Sequence, residues 1–159
     1  MRRTLVVSLL ALAACAKKEQ QADTTSAAAT PPGGTSAATA PAANITNADV
    51  AGTWEAKAMP MNKDTVATTF EMTATSTMNG WSMKLPNGEK PAVRVVAIQG
   101  DSVVSDAGPF KSVLRKGQQV TVHTIMHLRD GKLTGTTHAK YSNGDTATLR
   151  VEATKKAGQ

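Results

Sequence analysis

Regular alternation of small or apolar residues with polar ones, from Gln119 to Ala153, constrains this chain more than any other feature of its sequence. A period of two over successive short segments is typical of β-strands that bury one face. The residues on the inward face are Val120, Val122, Thr124, Met126, Leu128, Leu133, Gly135, Thr137, Ala139, Tyr141, Ala147, Leu149, Val151 and Ala153. The segment therefore predicts three antiparallel strands joined by two tight hairpins.

Two turns that contain glycine set the register of these strands. If Asp130-Gly131 is a two-residue turn, Leu128 faces Leu133 and apolar residues meet apolar residues. At the second corner a two-residue turn would mix the two faces, whereas a three-residue loop over 142–144, with Gly144 in the left-handed conformation, keeps them separate. The three-residue loop is the one we predict, and the facing pairs that follow are Ala139 with Ala147 and Gly135 with Val151.

Shorter alternating segments precede these strands. Their inward residues are Trp54, Ala56 and Ala58, then Val66, Thr68, Phe70, Met72 and Ala74 in a strand over 65–75, then Trp81, Met83 and Leu85. In the next strand, over 93–98, two inward faces are open: Val93, Val95 and Ala97, or Arg94, Val96 and Ile98.

About eight short strands follow one another in hairpins, and no segment with a helical period separates them. A meander of this length leaves two long exposed edges unless its first and last strands pair. The sequence therefore predicts an all-β domain over 49–156, folded as an eight-stranded antiparallel up-and-down barrel.

The N-terminal residues predict export. A basic start, Met1-Arg2-Arg3, precedes an apolar run over 5–12 that is too short to span a bilayer permanently. The sequence Leu12-Ala13-Ala14-Cys15 resembles the lipobox of bacterial lipoproteins, in which the cysteine is diacylated and becomes the mature N-terminus. The resemblance implies a signal peptide over 1–14 and a membrane anchor at Cys15. In that family an Asp after the cysteine often marks retention at the inner membrane, so Ala16 favours the outer membrane, facing the periplasm.

Residues 15–48 are rich in Ala, Thr, Ser, Pro and Gly and have no apolar period, which predicts a disordered linker. As a flexible coil it would span on the order of 30 Å. Cys15 is the only cysteine, so no disulfide can form within the chain.

The start of the first strand, Gly52-Thr53-Trp54, resembles the Gly-x-Trp opening shared by lipocalins, fatty-acid-binding proteins and avidins. In these calycin-like barrels the tryptophan closes one end of the barrel, often beneath an arginine from the last strand. Arg150 is the candidate arginine, although the predicted register points it outward.

Many inward positions are small, so the barrel interior is expected to retain space for one small ligand. We predict a small apolar ligand, contacted by Trp54, Phe70, Met72, Trp81, Met83, Met126 and Tyr141. The alternative is a filled core whose outer face recognises another envelope protein.

A third interpretation is metal binding. The first hairpin places His123 opposite His138 on the outer face, about 5 Å apart at Cβ, which is close enough for two imidazoles to share one ion. Met59-Pro60-Met61 also resembles the Met-x-Met elements of periplasmic copper proteins, because thioethers suit Cu(I).

Charge and motifs argue against other classes. The formal net charge of +6 comes from 18 basic and 12 acidic residues, no run of Lys or Arg exceeds two, and aromatic residues are 3%. A nucleic-acid-binding protein would be expected to combine a basic stripe with stacking aromatics. No nucleophile elbow, zinc-protease motif or phosphate-binding glycine loop occurs, so we expect neither an enzyme nor a cofactor.

Overall fold

A computed structural model describes residues 44–158, and within them eight antiparallel strands form a closed barrel. Each strand pairs with the next along the chain, and the last strand pairs with the first. The elements are α1 (Asn47–Val50), β1 (Gly52–Pro60), β2 (Thr68–Ala74), β3 (Trp81–Lys84), β4 (Ala92–Gln99), β5 (Ser102–Lys111), β6 (Gln119–Arg129), β7 (Lys132–Tyr141) and β8 (Thr146–Lys155). The predicted up-and-down barrel is confirmed.

The last three strands have the predicted register. Leu128 pairs with Leu133, and Asp130-Gly131 is a two-residue turn in which both residues have positive φ. At the second corner the Tyr141 amide donates to the Asp145 carbonyl at 2.9 Å, which leaves a three-residue loop with Gly144 at φ +90°. Ala139 therefore faces Ala147 and Gly135 faces Val151.

A β-bulge in β4 resolves the choice between its two faces. The register against β5 shifts between Val95 and Ala97. Before the shift Val93 and Val95 are buried, and after it Ile98 packs against the core. The extra residue brings Ile98, in place of Ala97, to the inward face, while Val96 points outward and is 44% exposed. Each of the two faces considered from the sequence is thus correct for one half of the strand, because the extra residue reverses the alternation.

The inward residues of β1 and β3 are buried as predicted, but the predicted start of β2 is wrong. β2 begins at Thr68 instead of residue 65, and Val66 is 43% exposed. A turn after β1, in which the Lys63 amide donates to the Pro60 carbonyl, carries the chain away from the sheet, so Val66 lies in a loop.

The two ends of the barrel differ. At the first, which we call the closed end, α1 covers the interior: Val50 is fully buried, and Trp54 Nε1 donates to the Val50 carbonyl at 2.9 Å. Asp49 Oδ2 accepts hydrogen bonds from both the amide and the hydroxyl of Thr46 at 2.7 Å, and so caps this short helix. The opposite end, which we call the open end, consists of the loops over 61–67, 85–91, 112–118 and 142–145.

Within residues 44–158, no helix has the length and apolarity needed to cross a membrane. The predicted signal peptide over 1–14, Cys15 and most of the predicted linker over 15–48 lie outside the described residues.

Candidate ligand-binding cavity

A cavity of about 80 Å³ lies inside the barrel, in the half that leads to the open end. Apolar side chains form most of its wall. The lining residues are Ala56, Ala58, Thr68, Phe70, Met72, Met83, Leu85, Val93, Ser105, Ala107, Phe110, Ser112, Val113, Leu114, Val120, Val122, Thr124, Met126, Thr137, Ala139, Tyr141, Leu149 and Val151. The small inward residues thus leave a void that their neighbours do not fill.

The structure brings five of the seven predicted ligand-binding residues to this cavity, namely Phe70, Met72, Met83, Met126 and Tyr141. Trp54 and Trp81 do not line it. Both are 1% exposed and fill the half of the barrel near the closed end, where Trp81 Nε1 donates to the Thr77 carbonyl at 2.8 Å. Alternation identifies inward residues but not their height along the barrel axis, so the sequence could not separate these two groups.

The prediction also omitted residues that line the cavity. Phe110 follows a register shift in β5, and Val113 and Leu114 lie in the loop over 112–118. An alternating pattern gives no signal for a loop that folds back over a barrel, so only the composition of that loop, with two apolar residues among polar ones, pointed to it.

Three buried Ser and Thr side chains, among the five that line the cavity, give it a small polar patch. Thr124 and Thr137 face each other across β6 and β7, and their hydroxyls are 2.8 Å apart. Both residues are buried, as is Ser105, which lines the same cavity. Since the hydroxyls of Thr124 and Thr137 hydrogen-bond to each other, an apolar molecule can lie against them without leaving either hydroxyl unpaired. The same hydroxyls can also orient one polar group.

The loop over 112–118 forms part of the mouth. The Ser112 hydroxyl accepts hydrogen bonds from the amides of Leu114 and Arg115, and the Ser112 amide donates to the Gln118 carbonyl. Leu114 lines the cavity and is nevertheless 37% exposed. The cavity therefore meets the surface at an apolar loop.

Arg115 places a cation beside the cavity wall. Its guanidinium lies 4.2 Å from the centre of the Tyr141 ring and forms an ion pair with Asp145. Hydrogen bonds from Asn143 and from Arg115 lower the pKa of Asp145 below its ordinary value. A cation stacked on an aromatic ring and paired with a carboxylate holds the loop against β7.

A cation from the last strand does lie near Trp54, but it is Lys155, not Arg150. Lys155 Nζ is 5.6 Å from the centre of the Trp54 ring, and its stem passes over Gly52, where a Cβ atom would be only 2.6 Å from Lys155 Cε. Arg150 instead donates to Asp64 at 2.8 Å and lies 3.6 Å from Met59 Sδ. Lys155 lies near Trp54 because the two residues face each other where β1 pairs with β8.

On the outer face, β6 and β7 pair His123 with His138, as the register predicted. Nδ1 of His123 is 2.7 Å from Asp106 Oδ1, and Nδ1 of His138 is 3.1 Å from Thr148 Oγ1. In the part of the chain that the structure describes, no group of three or more His, Cys, Asp or Glu side chains is arranged to hold a metal ion. The pair of His123 and His138 supplies two possible metal ligands, one imidazole from each residue.

The methionine pair lies elsewhere, in two different environments. Met59 is 5% exposed and its sulfur lies beside Arg150, whereas Met61 is 53% exposed in the loop that follows β1. The structure therefore does not bring the two sulfurs into one shared site with the histidines.

A polar cluster joins the β4–β5 turn to β6 at the closed end. Asp101 accepts hydrogen bonds from Arg129 Nε at 2.9 Å and from Ser102, and His127 Nδ1 is 3.0 Å away. Hydrogen bonds from His127 and Arg129 hold the pKa of Asp101 far below its ordinary range. Ser102 Oγ and Asp101 both meet His127 at Nδ1, whereas a catalytic triad needs the serine at Nε2. The hydrogen bonds of this cluster clamp the β4–β5 turn to β6.

Comparisons of the chain with models of protein families, with curated proteins and with solved structures found no match. The cavity is therefore interpreted from its own geometry.

Proposed function

We propose that this barrel binds a small apolar ligand, or the apolar end of a small amphiphile, and that a lipid anchor on Cys15 holds it at the outer membrane, facing the periplasm. The observation that supports ligand binding is the apolar cavity inside the barrel, beneath the loop over 112–118. The proposal includes no catalytic activity and no cofactor.

The volume sets the size of the ligand. An engineered apolar cavity of about 150 Å³ accepts benzene, and drug-sized molecules occupy about 300–1,000 Å³. At about 80 Å³ this cavity fits a few carbon atoms as it stands. Met72, Met83 and Met126 are unbranched and flexible, so they can repack around a larger occupant.

The polar groups suggest how such a ligand would lie. Its apolar part would contact Phe70 and the three methionines, while a polar group would meet either Thr124 and Thr137 inside or Arg115 at the mouth. Since Arg115 already pairs with Asp145, an anionic headgroup would have to compete with that carboxylate.

The proposal extends to a calycin-like type of barrel. Trp54 at the closed end, beneath a cation from the last strand, supports it.

Support for the lipid anchor comes from Leu12-Ala13-Ala14-Cys15 in the sequence. Labelling with palmitate in a lipoprotein-processing bacterium tests the anchor: the wild-type chain should incorporate label, a Cys15→Ser variant should not, and equal labelling would contradict it.

Native mass spectrometry of the full chain carrying Cys15→Ser, released from its host without detergent, tests ligand binding. We expect a small molecule to remain bound. The Ala139→Leu variant fills the cavity and should lose this molecule, whereas Ala153→Leu changes a buried alanine outside the cavity and should retain it. Retention by both variants would place the molecule elsewhere.

A second candidate function is the recognition of an envelope protein. It is supported by three of the five exposed large apolar side chains of the described residues, Met61, Val66 and Leu114, which are 53%, 43% and 37% exposed and lie on loops at the open end. Exposed apolar side chains grouped at one end are typical of interaction sites. A photo-crosslinking residue at position 66, compared with one at Thr134 on the outer face, would capture a specific partner only from the loop position.

A further inference from the structure

Five polar side chains form one row across the outer face of the barrel. Adjacent strands pair Arg94 of β4 with Asp106 of β5, Asp106 with His123 of β6, His123 with His138 of β7, and His138 with Thr148 of β8. Facing residues in adjacent strands have Cβ atoms about 4.5–5.5 Å apart. The row therefore places two imidazoles side by side, with a hydrogen-bonding residue beyond each one.

The outer members of the row orient the two rings. Asp106 Oδ1 lies 2.7 Å from His123 Nδ1, and because a carboxylate only accepts, the proton of a neutral His123 resides on Nδ1. Arg94 Nη2, 2.5 Å from Asp106 Oδ2, keeps that carboxylate in place. On the other side, His138 Nδ1 can donate to Thr148 Oγ1 at 3.1 Å in the same way. Both rings then carry their lone pair on Nε2.

We propose that His123 and His138 bind one divalent transition-metal ion of the zinc and copper class through their Nε2 atoms. A metal ligand of this type is usually oriented by a carboxylate or another acceptor on its second nitrogen, as Asp106 and Thr148 are here. With metal–nitrogen distances of about 2.0–2.1 Å, one ion can join two imidazoles on paired strands. Both histidines are exposed, so water or a partner's side chain can complete the coordination.

This site is distinct from the cavity, because both histidines are exposed and neither of them lines the cavity. Its failure would not affect the proposed ligand binding. The chain also contains a matched control, since His127 is clamped between Asp101 and Ser102 and has Thr134 as its neighbour in β7.

The test is a titration of Zn(II) into the untagged full chain carrying Cys15→Ser, which removes the thiol as a competing ligand. We expect saturable binding of one ion and shifts of the ring resonances of His123 and His138, with His127 unchanged. His123→Ala and His138→Ala should each abolish saturable binding, while His127→Ala should retain it. Circular dichroism verifies that each variant is folded.

Asp106→Ala tests the orientation of the ring separately. Loss of a residue that orients a metal-binding histidine typically lowers metal affinity about 10- to 100-fold. The affinity for Zn(II) should therefore fall in this range, while one ion still binds per chain. Equal shifts of all three histidines, or undiminished binding by His138→Ala, would overturn the proposal.

Discussion

The two ends of the barrel use the same alternating pattern for different purposes. At the closed end Val50, Trp54, Trp81, Val103 and Leu133 are almost completely buried, and Trp54 and Trp81 both have hydrogen-bond partners for their indole nitrogens. At the open end small inward residues leave a cavity, and the loops expose apolar side chains. One end is closely packed, and the other contains a void.

The largest expected effect on the free energy of unfolding comes from emptying a packed site at the closed end. Trp54→Ala would remove a fully buried ring that contacts α1, and the cost of emptying such a site is about 3–5 kcal/mol. We expect a loss near 4 kcal/mol in urea unfolding. Phe110→Ala, at the wall of the existing cavity, should cost less because its neighbours already face a void. A greater loss of stability from Phe110→Ala than from Trp54→Ala would contradict the inference that the closed end is the more tightly packed.

A second pair of variants adds the same side chain at each end. Ala153→Leu inserts methylene groups into a packed region, which should lower the free energy of unfolding by about 2 kcal/mol. Ala139→Leu points into the cavity and should change it by less than about 1 kcal/mol, since the void accepts the added atoms. Equal losses in thermal or urea unfolding would mean that the open half is packed as tightly as the closed half.

The pH dependence of stability is expected to differ between Asp101 at the closed end and Asp145 at the open end. The pKa of Asp101 is lowered in the folded state, so its contribution to stability is fully present above the unfolded pKa of about 4 and is lost as the pH falls below it toward the folded pKa. Asp101→Asn should therefore be less stable than wild type at pH 7, and the difference should shrink steadily in unfolding curves measured below pH 4.

The matched control is Asp145→Asn at the open end. The pKa of Asp145 is lowered as well, but its side chain is 54% exposed against 12% for Asp101, so solvent screens its ion pair. Its stability curve should stay closer to wild type throughout. A larger pH effect at Asp145 would contradict the clamp assigned to Asp101.

The smallest expected effect concerns Arg115. Arg115→Met removes its charge from the Tyr141 ring and from Asp145, and an exposed cation–π contact contributes about 0.5–1 kcal/mol. Unfolding should therefore change little, whereas exchange of backbone amides over 112–118 with deuterium should become faster. Unchanged exchange in this loop would show that Arg115 does not hold it.

The sequence already determined the order of the strands, both hairpins of the last three, and the closure of the barrel. The strand order and the hairpins follow from local physics: a period of two assigns each residue to a face, and Asp130-Gly131 and Gly144 permit only certain turns. Closure follows from the two exposed edges that an open meander would leave. The directly paired histidines follow from the same register.

Only the tertiary structure decided the remaining features. The bulge after Val95 exchanges the two faces of β4, since curvature of the closed sheet is not encoded in alternation. The stagger of the strands around the barrel puts Lys155, not Arg150, beside Trp54, and separates both tryptophans from the cavity. Alternation reports which way a side chain points, whereas its height in the barrel depends on how all eight strands meet.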